Sequence, residues 1–79
     1  MSTWRYIASR ERAQGEEIWT VREVYTDRKH GISWTELRVE PFGTSLDELK
    51  RDLVRMARDL DSGDFLDLTL DPPAIVSLP

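Results

Sequence analysis

Four groups of residues in this 79-residue chain have types and spacing from which chemistry can be built. His30, the single histidine, stands beside Arg28 and Lys29 with Asp27 close by. A histidine acts as general base when a carboxylate orients it and a nucleophile lies within reach. No glycine-flanked serine accompanies this one, and its turn setting predicts an exposed surface residue. Glu23 and Glu36 suggest the carboxylate pair of a glycoside hydrolase, but strand alternation sends them to opposite faces. The aspartates at 59, 61, 64, 67 and 71 lack the spacing, central glycine and terminal glutamate of a calcium loop. Gly43-Thr44-Ser45 before a helix could cradle an anion, yet Asp47 and Glu48 would repel phosphate there. Each group reads more simply as turn, surface charge, solvated segment and helix cap. The expectation is therefore no enzyme, with no catalytic, cofactor-binding or metal-binding residue.

A fifth group points to binding instead. Trp34, with Val24 and Ile18, forms an apolar island rimmed by Arg22, Glu36 and Arg38. Aromatic anchors beside arginines are what protein interfaces favour. These residues are the candidate partner-binding face, for another protein or for a second copy in a homodimer. A competing reading folds the tail, through Ile75, Val76 and Leu78, over the same island; a third leaves Trp34 lying flat and exposed along its strand.

Three alternating stretches must carry these residues. Strands are expected at about 4–9, 17–25 and 32–40, with turns around Gly15 and Gly31 and a stop at Pro41. If Tyr25 pairs with Ser33, then Val24 faces Trp34, Arg22 faces Glu36, Val21 faces Leu37 and Trp19 faces Val39. The first hairpin then sets Tyr6 opposite Trp19 and Trp4 opposite Val21. Ser45-Leu46-Asp47-Glu48 has the form of a capping box, and its acids suit the positive end of the helix dipole. Leu46, Leu49, Leu53, Met56, Ala57 and Leu60 follow at spacings of three and four. A helix over about 46–61 results. In the tail, 62–79, Leu66 to Asp71 alternates and allows a short fourth strand before Pro72-Pro73.

The expected fold is one α+β domain over 1–79: a three-stranded antiparallel meander, with room for the fourth strand, packed on one helix. Its core is expected to hold Trp4, Tyr6, Trp19, Val21, Leu37, Val39, Leu46, Leu49, Leu53, Met56 and Leu60. One helix covers one face, so the Trp34 face is left open.

Composition narrows the partners. The net charge is −4, which argues against nucleic acid, whose binding needs clustered Lys and Arg; Arg5, Arg10, Arg12 and Arg22 would have to share a face. Cysteine is absent, excluding disulfides and thiolate sites and fitting a reducing compartment. No apolar run has the length of a membrane span, and the first residues lack the pattern of a signal peptide. A cytoplasmic location with no membrane partner is expected.

Two resemblances accompany this reading. The segments Glu23-Val24-Tyr25, Gly31-Ile32-Ser33-Trp34-Thr35-Glu36 and Pro41 to Leu49 resemble a scattered group of short bacterial proteins that brings no activity with it. The order strand–strand–strand–helix, entered through Gly43-Thr44-Ser45-Leu46-Asp47-Glu48-Leu49, is also similar to HicB-type antitoxin domains. That resemblance implies a protein that masks a small ribonuclease toxin. The chain lacks the Pro-Gly segment such domains carry before the helix, and no residue carries over as functional.

Overall fold

The structure is a computed structural model that describes residues 3–77. The first hairpin joins β1 (Thr3–Ala13) to β2 (Glu16–Asp27) through a two-residue turn. Gln14 and Gly15 both have positive φ, at 53° and 81°, the left-handed pair of a type I′ turn. This tight turn sets the register: Trp4 pairs with Tyr25, Tyr6 with Glu23 and Arg10 with Trp19. The expected pairing of Tyr6 with Trp19 is off by four residues, because Arg10 to Ala13 continue the strand rather than loop. An even offset keeps every side chain on its face, so Trp4, Tyr6, Trp19 and Val21 still share one side.

β3 (Gly31–Trp34) is shorter than expected. Tyr25 pairs with Ser33 and Val24 with Trp34, as the alternation predicted. Beyond Trp34 the ladder is irregular: Thr35 N–H donates to Glu23 O at 3.0 Å and Val39 N–H to Val21 O at 2.8 Å. The expected pairs Val21–Leu37 and Trp19–Val39 do not form, and Leu37 points to solvent.

Helix α1 (Leu46–Leu60) begins where its cap predicts. Ser45 Oγ accepts from Glu48 N–H at 3.2 Å. Glu48 reaches back one residue further than a capping box requires, accepting from Thr44 N–H and Oγ1 at 2.8 and 2.6 Å. The chain then returns through β4 (Asp64–Asp67), which lies parallel to β1, and β5 (Ala74–Ser77), antiparallel to β4. The sheet order is β3-β2-β1-β4-β5. The α+β class stands, but the sheet is mixed, curled and five-stranded rather than a three-stranded meander. The fourth strand allowed over Leu66 to Asp71 lies earlier, at Asp64–Asp67, and the tail supplies a fifth at Ala74–Ser77.

The core lies largely on the face opposite the helix. Ile7, Val24 and Leu66 are fully buried there, with Trp34, Leu68 and Ile75 packed against them. On the helix side Tyr6, Met56 and Phe65 are buried. Of the expected core, Trp4, Trp19, Leu37, Leu46 and Leu53 are exposed. No helix among the described residues is long and apolar enough to cross a membrane.

Candidate interaction surface

The five residues expected to form an open binding face do not form one. Val24 is fully buried and Arg22 is buried, while Trp34 is half-buried against the Ile7–Val24–Leu66 cluster. Only Glu36 and Arg38 are exposed. The sheet curls, so its own side chains close over this face, and Ile75 of β5 joins them. The tail therefore covers the island through Ile75; Leu78 lies outside the described residues.

Arg22 and Glu36 are in contact, though not by their expected side-chain pair. The Arg22 guanidinium donates to the backbone carbonyls of Thr35, at 3.0 Å, and Glu36. Its counter-ion is Glu11 of β1, at 2.7 Å, and Glu11 also takes Arg38 Nε at 2.7 Å. Burial pushes the Glu11 carboxyl up, but the hydrogen bonds from Arg38 and Arg22 outweigh it and hold the pKa below its ordinary value. This Arg22–Glu11–Arg38 cluster ties the segment after β3 to the first hairpin, and that is its evident work.

Between that segment and α1 lies an open cavity of about 500 Å³, lined by Tyr6, Glu23, Phe42, Arg51, Asp52 and Arg55 among others. It brings a phenol and a carboxylate together: Tyr6 Oη donates to Asp52 Oδ1 at 2.5 Å. The Tyr6 pKa is pushed up to about 12 by burial and then by Asp52. The Asp52 carboxyl is held low by Tyr6 and by Phe42 N–H, which donates to it at 2.9 Å. Both shifts lead away from neutrality, whereas acid–base work needs a pKa near the operating pH. The pair fastens the 39–42 segment and β1 to the helix. It is a clasp.

His30, Glu23 and Glu36 lie apart from one another. His30 Nδ1 lies 3.1 Å from Asp27, which also accepts from Lys29 N–H at 2.9 Å in the β2–β3 turn. Glu23 lines the helix-side cavity, while Glu36 lies beside Trp34 in a separate shallow hollow.

The feature that stands apart is the orientation of α1. The helix packs on β1 and presents polar residues to it. Asp59 Oδ2 accepts Tyr6 N–H at 3.1 Å, just where the β1–β4 ladder has stopped. Arg55 lies over the Trp4 ring, 3.9 Å from its centroid, and Trp4 packs edge-on to Tyr6. Asp52, Arg55, Met56 and Asp59 thus form the seat, turned roughly 100° from the middle of the apolar stripe. Part of that stripe faces solvent, Leu46 and Leu53 being 66 and 47% exposed, and Val54 at its edge is 66% exposed. Phe42, just before the helix, is exposed as well.

No family model, curated protein or solved structure matches the chain. The surface must speak for itself.

Sequence reasoning missed it by assigning the stripe wholly to the core. One signal was present: Val54 is apolar but lies off the line of Leu46, Leu49, Leu53, Met56 and Leu60, widening the stripe beyond what one contact needs.

Proposed function

We propose that the protein is a small, non-enzymatic intracellular module that works by binding protein through the outer side of α1. The observation that carries the reading is the exposure of Leu46, Leu53 and Val54 together on one side of a helix whose seat is elsewhere. Adjacent apolar side chains left in water mark interaction sites more often than scattered ones do. Covering what these three still expose, 66, 47 and 66%, yields on the order of 3–5 kcal/mol, scaled from ~1.5–3 kcal/mol for each full side chain. Association itself costs about 4–15 kcal/mol. A stable partner must therefore bring apolar surface of its own. The face around Trp34 serves less well, since Val24 and Arg22 are buried and Trp34 packs on the core.

A photo-crosslinking residue at Val54, compared with one at Glu36, tests this in cells expressing the full chain. Protein adducts are expected from position 54 and few from position 36. Adducts from position 36 alone, or from neither, would contradict the reading.

A further inference from the structure

We infer that the partner of α1 is a second copy of this chain, docked helix against helix in antiparallel orientation about a two-fold axis near Leu53. The inference rests on the reading of α1 as the binding surface and adds the identity of its occupant. Its basis is the order of charges along the exposed side. Asp47 lies in the first turn and Arg58 in the last, with Lys50 and Arg51 between them. At 100° per residue, Asp47, Arg51, Val54 and Arg58 share one flank of the helix, its acid at one end and its outermost base at the other. Neither end charge is strongly engaged within the chain. Asp47 has no ion pair among the described residues, and Arg58 has only a 3.9 Å contact with Asp59.

A two-fold axis perpendicular to the helix reverses this order in the second copy. Asp47 of one copy then meets Arg58 of the other, and symmetry repeats the pair. Leu53 meets its own counterpart across the axis. Lys50 falls opposite Ala57, a side chain small enough for the lysine stem to lie over it while the ammonium stays in water. A parallel arrangement would instead set Asp47 against Asp47 and Arg58 against Arg58. The antiparallel pair also opposes the helix dipoles favourably. An anionic membrane surface matches less well, because Asp47 and Glu48 sit beside Leu46 at the end that would insert.

Sedimentation velocity of the full chain over a concentration series tests the inference, with thermal unfolding as the control for folding. The chain is expected to dimerise, and Leu53→Glu to make it monomeric while it still unfolds in one cooperative transition, at the melting temperature the parent approaches on dilution. Asp47→Lys or Arg58→Glu alone should weaken the dimer about tenfold, since two equivalent pairs become repulsive. The double variant should return to within about twofold of the parent. Within one helix the two changes add their costs; only between antiparallel copies do they cancel. A chain that stays monomeric overturns the second-copy inference, as does co-sedimentation of the monomer with phosphatidylglycerol vesicles that Leu53→Glu abolishes. A dimer broken by Leu53→Glu but not rescued by the double variant overturns the antiparallel pairing. A dimer indifferent to Leu53→Glu overturns the α1 reading itself.

Discussion

A buried arginine needs a counter-ion, and Arg22 takes its own from the opposite strand of the first hairpin. Glu11 stands between Arg22 and Arg38 at 2.7 Å from each, while Arg22 also holds two carbonyls of the segment after β3. Glu11→Gln removes the only carboxylate in this cluster and leaves a buried charge unmatched. The expected loss is about 3–5 kcal/mol of folding stability, read as a lower urea midpoint with an unchanged slope. Tyr6→Phe is gentler: it deletes the hydrogen bond to Asp52 and should cost about 1.5–3 kcal/mol, as bonds to charged acceptors do. Part of this was legible. Alternation alone paired Val24 with Trp34, whereas the Arg22–Glu36 side-chain pair it also predicted gives way to a bond from Arg22 to the Glu36 carbonyl. The role of Glu11 was not, because Arg10 to Ala13 read as a polar loop when they in fact extend β1.

At the level of elements, the helix entry is held as tightly as any part of the chain. A Cβ on Gly43 would collide with Leu49 N and lie 2.7 Å from Glu48 Cβ. Backbone cannot move aside as a flexible side-chain end can. Gly43→Ala should therefore lower the melting temperature, by more than Ser45→Ala, whose lost cap is worth about 1 kcal/mol. The cap, the stripe and the helix limits were all readable from local sequence. Its rotation on the sheet was not, because that depends on Asp52 and Asp59 meeting Tyr6 across more than forty residues of chain. The tail shows the same limit: four-residue strands such as β4 and β5 carry little periodicity, and neither β1–β4 nor β4–β5 pairing announces itself locally.

For the whole molecule, stability against pH follows from groups on both sides of the sheet. Asp67 is held low by Thr69 and then Arg10, Asp52 by Tyr6 and Phe42, and Glu11 by its two arginines despite burial. Each has a folded pKa below its unfolded value, so its contribution is present above the unfolded pKa and is lost as pH falls through the folded one. Tyr6 acts in the opposite sense. Its pKa of about 12 lies above the unfolded value of 10.0, so its contribution holds below the unfolded pKa and is lost as pH rises through the folded one. Thermal unfolding followed across pH should give a plateau between these limits, falling on the acid side with the carboxylates and on the alkaline side with Tyr6. A melting temperature constant down into the carboxylate range would contradict these assignments.

The global arrangement also changes the meaning of the tryptophans. Trp34, which the alternation set on an open face, packs on the core, whereas Trp19 stays half in water against Phe65, 5.0 Å between ring centroids. The apolar surface proposed to bind has passed from the Trp34 face to the outer side of the helix. Amide chemical shifts of the isotopically labelled chain, followed by nuclear magnetic resonance through a dilution series, test that transfer most directly. Concentration-dependent shifts are predicted at Leu46, Lys50, Leu53, Val54 and Ala57, with Ile32, Trp34 and Glu36 unmoved. Shifts gathered on β3 around Trp34, or none at any concentration, would contradict the account.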